Sequence, residues 1–159
     1  MSTPAPPIIR VNPHLTADQL FDFYRRNNVC EVGFGKDTAA RVLDHPHLIV
    51  AAFDREELVG LARATFDGLS AHVMEFSLDL RWQGPTRHGN GSLVEADLQG
   101  LGRSLGQRLL AELEQRGCTF VTAYIVDGCE ECFYQGLGFR QNVGHSVFYI
   151  DMRPYARDR

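Results

Sequence analysis

The chain has 159 residues, of which 44% are hydrophobic and 23% charged, with a formal net charge of −4; this is the profile of one globular domain with a sizeable core. Weak acidity without a long basic run argues against nucleic acid as a partner and suits a small neutral or cationic substrate. No apolar run approaches the ~20 residues of a membrane span, and Met1 to Pro7 lacks the basic flank and apolar stretch of a signal peptide, so a cytoplasmic location is expected.

Residues 1–7 are expected to be disordered, residues 8–152 to carry the domain and residues 153–159 to form a tail. Ile8 to Val11 reads as a short strand. Thr16 is a plausible N-cap for a helix of Ala17 to Asn27, with Leu20, Phe21 and Tyr24 on one side. A second helix is expected from Thr38 to Asp44, ended by the Pro46 step. Leu48 to Phe53 is a continuous apolar run, the pattern of a buried strand. The turn at Asp54 to Glu57 returns the chain as a strand from Leu58 to Phe66. Asp67-Gly68 then turns it into a third, Ala71 to Leu80. Val73, Phe76, Leu78 and Leu80 are the apolar positions of that third strand, and Glu75 lies between them.

Trp82 to Asp97 is irregular, and a long loop inside a compact domain is more often functional than idle. A glycine-rich turn follows, with Gly100, Gly102 and Gly106, and runs into a helix with Leu105, Leu109, Leu110 and Leu113 at core spacing. Gly117 is placed to close that helix. Thr119 to Val126 reads as a strand. Asp127 is expected to cap a short helix with Glu130 completing a capping box, and Gly144 to Met152 is expected to supply a last strand. The order predicts a mixed α/β sheet with helices on its faces.

Cys30, Cys118, Cys129 and Cys132 are too few for a disulfide framework. Cys129 and Cys132 form one Cys-x-x-Cys pair, without a second pair at zinc spacing, so packing thiols are preferred to a metal or redox centre. No metal is expected. His45-Pro46-His47 is read as a solvated loop.

The glycine turn is the feature that points to a ligand. Backbone N–H groups at a helix start lack partners and sit at the positive end of the dipole, which suits a phosphate. A Walker A loop is excluded, because Gly35-Lys36 is the only Gly-Lys pair and Asp37 follows it. The dinucleotide fingerprint also fails on spacing, and the turn lies late in the chain.

Leu78-Asp79-Leu80-Arg81-Trp82-Gln83-Gly84, and then Gly102-Arg103-Ser104-Leu105-Gly106-Gln107-Arg108-Leu109-Leu110, resemble the two halves of the acetyl-coenzyme A loop of the GNAT superfamily of N-acetyltransferases. Here Pro85 to Leu101 separates the halves, and Ser104 stands where that family usually has glycine. Gln99 offers an alternative register to Gln83. Cys132-Phe133-Tyr134-Gln135-Gly136-Leu137-Gly138-Phe139 resembles the family's Leu-Tyr-Glu-Lys-Leu-Gly-Phe signature, with Asp127 at the usual asparagine.

The resemblance implies a GNAT-like, mostly antiparallel central sheet flanked by helices on both faces, with a splayed central strand pair. It implies acetyl-coenzyme A (acetyl-CoA) as the acetyl donor and a primary amine of a small molecule or protein as the acceptor, with a homodimer possible. Leu78 and Leu80 would present backbone groups to the acetyl arm. Gly102, Arg103, Ser104, Leu105, Gly106 and Gln107 would hold the pyrophosphate, with Asp127 a secondary contact. Tyr134 would donate a proton to the leaving sulfur, its other use being a packed core aromatic. Glu75 is the candidate general base, with Glu95 or water as rivals. The acceptor would be framed by residues 24–36 and 82–97. The competing function is a non-catalytic acyl-coenzyme A sensor on the same fold.

Overall fold

The computed structural model describes residues 4–29, 33–45 and 47–153. Cys30 of the proposed acceptor wall and Pro46, expected to end the second helix, lie outside them. Five strands form one sheet among these residues: β1 (Ile8–Val11), β2 (Leu48–Asp54), β3 (Glu57–Phe66), β4 (Ser70–Leu78) and β5 (Phe120–Ala123), in that spatial order. Neighbours are antiparallel except the last pair, β4 and β5, which are parallel. The parallel step needs a crossover, supplied by α3 (Leu80–Gln83), a long loop and α4 (Leu101–Gln115).

Two apolar layers cover the sheet. On one face α1 (Ala17–Arg26) and α2 (Lys36–Asp44) pack Leu20, Phe23, Tyr24 and Ala39 against Ile49, Ala51, Phe53, Leu58 and Leu61. On the other, α4 and α5 (Glu131–Gly136) pack Leu101, Leu105, Leu109, Leu113 and Tyr134 against Leu48, Val50, Val59, Val73, Phe76 and Leu78. Strand β2 is therefore buried on both sides, which explains its unbroken apolar run. Thr16 caps α1 in a full capping box with Gln19. Gly117, at φ +86°, follows the end of α4. No helix among the described residues is long and apolar enough to cross a membrane.

Two expectations are corrected. Residues 144–152 form no strand, and Val147, Phe148, Tyr149, Ile150 and Met152 are all exposed. Asp127 does not cap α5. Gly128, at φ +72°, carries the chain through a further turn, and the helix begins at Glu131. The Glu130 carboxylate instead accepts from the N–H of Val94 (3.2 Å) and of Val126 (3.0 Å). The buried acid thus ties two loops together, and burial raises its pKa above the ordinary carboxylate value.

Candidate active site

The site begins with a fault in the sheet. Glu75 pairs with Arg63, but the next pair is Val73 with Ala64, so Met74 is an extra residue in β4. Pairing of β4 with β5 stops at Val73 and Ala123, immediately before that bulge. Beyond it β5 ends while β4 runs on to Leu78, leaving a fork at the C-terminal end of the pair, where open α/β sheets receive ligands. The bulge also resets which side chains face which layer. Phe76 and Leu78 point to α4, whereas Glu75 and Ser77 point to α1.

Tyr134 lies beneath the fork. It is 5% exposed and meets the rings of Phe76, Phe133 and Phe139 edge-on, at centroid distances of 6.4, 5.3 and 5.4 Å. Burial first, and the nearby Glu130 charge second, raise its phenol pKa above the usual value near 10. The hydroxyl therefore keeps its proton throughout the neutral range.

Glu75 is fully engaged. Its Oε1 accepts from Tyr24 Oη at 2.5 Å and Arg63 Nε at 2.6 Å, and its Oε2 accepts from Ser77 Oγ at 2.6 Å. Both members of the Arg63–Glu75 pair are largely buried, with side chains 16% and 8% exposed. Tyr24, Arg63 and Ser77 are thus a polar network that the sequence pattern does not announce. In the Glu75→Gln variant a buried guanidinium loses its counter-charge, and stability is expected to fall by about 3 kcal/mol. A urea midpoint unchanged from the parent's would contradict that role. Glu95 is similarly committed, accepting from His88 Nδ1 (2.9 Å) and from the backbone of Arg87 and His88.

The inserted loop 84–100 bridges the fork. Gly91 accepts from the Leu78 N–H at 2.8 Å at the end of β4, and Glu130 ties Val94 to Val126, just past the end of β5. Val94 is fully buried in the core. Gly91 also donates to the Asn27 carbonyl at 2.8 Å, and Asn27 Oδ1 accepts from the Leu80 N–H at 2.9 Å. Gln83 turns inward as well, donating to the Leu78 carbonyl at 3.1 Å. The backbone groups of Leu78 and Leu80 named above are therefore satisfied within the chain.

At the start of α4, Gly100 takes a left-handed φ of +72°, a conformation that glycine adopts without strain. The Asp97 carboxylate accepts from the N–H of Gly102 (2.9 Å) and of Arg103 (2.8 Å). This helix start demonstrably holds an anion, as its dipole and free donors favour; the anion is the chain's own aspartate. Ser104 and Gln107 are exposed on α4, and Asp127 is exposed in the turn before α5. Leu105 is fully buried in the core. Gly106 faces α5, where a Cβ would stand 2.5 Å from Leu137 Cδ1. Overpacking this contact in Gly106→Val is expected to cost about 2 kcal/mol, measured as a lowered urea midpoint. A stability equal to the parent's would show that the contact yields freely.

His88 Nδ1, a Glu95 oxygen and Cys129 Sγ lie within 4.8 Å of one another, whereas Cys132 is exposed and outside that group. Burial first, and then the charges of Glu95 and Glu130, push the Cys129 thiol pKa above its ordinary value. Arg87 Nη2 donates to the Gly128 carbonyl alongside at 2.9 Å. The cluster fastens the loop to the approach of α5.

No family model matches the chain, and no curated protein does. Solved structures do. An acetyltransferase of the GNAT family from Streptococcus pneumoniae is 20% identical, with 92% of this chain and 99% of that one covered and a TM-score of 0.67. The ribosomal-protein alanine N-acetyltransferase of Escherichia coli is 18% identical, with 84% and 78% covered and a TM-score of 0.63. The glucosamine-6-phosphate N-acetyltransferase of Arabidopsis thaliana is 13% identical, with 91% and 99% covered and a TM-score of 0.63.

Proposed function

We propose that this chain, whose fold is that of the GNAT acetyltransferases, transfers an acetyl group from acetyl-CoA to a primary amine of a small molecule or protein in the cytoplasm. The observation that carries the reading is the coincidence of the Met74 bulge with the end of β4–β5 pairing, next to Phe76, whose ring meets that of Tyr134 edge-on at 6.4 Å. The start of α4 fits the phosphates of such a donor, because Gly102 and Arg103 already bind a carboxylate there. Ser104 and Gln107 stand next to them on the exposed side of the helix. Bound at the fork, the donor would supply an activated acyl group to an uncharged amine.

The chain's own residues supply the rest. Tyr134 keeps a proton at Oη for a developing negative charge. Water takes the proton of the amine, because Glu75 and Glu95 are both committed to other partners. The loop 84–100 must give way for the donor to enter: Asp97 leaves the helix start and Gly91 leaves the Leu78 N–H. These same two contacts favour a second reading, a module that binds acyl-coenzyme A without turnover.

Thiol release from acetyl-CoA, followed with a thiol-reactive chromophore over an amine panel, tests the first reading. Amine-dependent release is expected. Calorimetric binding of coenzyme A with no release over the whole panel would replace the enzyme with the sensor.

A further inference from the structure

The inserted loop and the turn before α5 bring three metal-ligand atoms together. By spacing alone Cys129 and Cys132 offer half a zinc site, but Cys132 lies outside the cluster and the fold gives Cys129 other partners. His88 Nδ1 lies 2.9 Å from Glu95 Oε1 and 3.9 Å from Cys129 Sγ, and all three atoms fall within 4.8 Å of one another. Around a tetrahedral zinc, with bonds of about 2.0–2.3 Å, such atoms stand roughly 3.3–3.6 Å apart. Small side-chain rotations reach that geometry. Each ligand is also held through a neighbour. Asn28 Nδ2 donates to the carbonyl of Gly89, next to His88, at 2.9 Å. Glu130 accepts from the N–H of Val94, next to Glu95, at 3.2 Å. The Cys129 N–H donates to the Val126 carbonyl at 3.2 Å. The Glu95 side chain is only 7% exposed, and its oxygens accept from the N–H groups of Arg87 and His88. Hydrogen bonds of this kind orient a ligating carboxylate.

We propose that His88 Nδ1, a Glu95 carboxylate oxygen and Cys129 Sγ form a binding site for one zinc-class divalent cation, with a fourth position open to water. A neutral imidazole, a carboxylate and a thiolate together carry two negative charges, the complement of a divalent ion. Coordination releases the Cys129 thiol proton to solvent and leaves the imidazole proton on Nε2. Thiolate and imidazole donors select zinc or cobalt(II), whereas magnesium and calcium take oxygen ligands. Arg87 Nε lies 3.9 Å from Glu95 Oε1, but that side chain is 77% exposed and its charge is screened by water and salt. The ion replaces the hydrogen bond between His88 and Glu95 with bonds to a shared centre. It thereby pins the loop that bridges the fork to the turn before α5.

Calorimetric titration of the reduced, chelator-treated full chain with zinc chloride is expected to show one ion bound per chain, with magnesium giving no binding. Cobalt(II) is expected to produce a thiolate-to-metal charge-transfer band and the visible bands of a tetrahedral centre, a readout that needs no variant. Cys129→Ser and His88→Ala, with the parent's circular dichroism spectrum retained, are each expected to weaken zinc by at least about a hundredfold, the upper range for loss of an outer-shell partner alone. Cys132→Ser is expected to bind zinc as the parent does. A parent that binds no zinc overturns the inference, and so does a cobalt complex without thiolate ligation. Unchanged affinity in Cys129→Ser or His88→Ala overturns it too, as does an equal loss in Cys132→Ser.

Discussion

Replacing Tyr134 with phenylalanine is expected to lower kcat by about 10²- to 10³-fold, the range for loss of a positioned proton donor. KM for acetyl-CoA is expected to stay within about twofold, since an interaction made only in the transition state is lost. The substitution isolates the hydroxyl. The ring is held by Phe76, Phe133 and Phe139, and phenylalanine preserves those contacts. A phenol whose pKa is raised by burial keeps its proton at working pH, and the proton it gives up can be restored through the water that takes the amine's proton. Steady-state kinetics decide the matter. A kcat within about threefold of the parent's, below the smallest effect a general acid supplies, would make Tyr134 a packing aromatic.

The second large effect is expected at Asp97. Its carboxylate occupies the donors at the start of α4, so an incoming phosphate must displace a charge already in place. In Asp97→Asn, coenzyme A is expected to bind about tenfold more tightly, the loss of a competing anion at a partly buried helix start being worth roughly 1–2 kcal/mol. Asparagine keeps one acceptor oxygen for these donors and the N-cap, Gly100, is untouched, so the helix itself is retained. Calorimetric titration with coenzyme A reads the change directly. Unchanged or weaker binding would show that Asp97 supports the ligand site rather than filling it.

Much of the frame was legible from local pattern. Thr16 and Gln19 announce the start of α1, the run from Leu48 to Phe53 announces a strand buried on both faces, and Gly117 marks the end of α4. The Met74 bulge also left a trace, because the apolar positions of β4 step by three between Val73 and Phe76, where a regular strand steps by two. The closure of the fork left none. It depends on Gly91 meeting Leu78 and on Glu130 meeting Val94, contacts between residues distant in sequence. The Asp127 cap misled for a local reason, since Gly128 inserts a turn before the helix. Residues 144–152 carry strand propensity, but propensity names no pairing partner, and none of the described residues pairs with them. The polar network of Tyr24, Arg63, Glu75 and Ser77 is likewise a product of tertiary packing.

The extra residue at Met74 acts on β4 as a frame shift acts on a message: everything after it is read one position out of step. Were Met74 kept and the strand paired regularly through it, the side chains of Glu75 and Ser77 would fall in the apolar layer under α4, while Phe76 and Leu78 would crowd the hydroxyl of Tyr24. By absorbing one residue the bulge lets the strand keep its two environments, a charge pair on one side of the sheet and apolar packing under α4 on the other. Deleting Met74 would close the bulge and leave every remaining pair of β3 with β4 in place, so the change would be confined to the irregularity beside the end of β5.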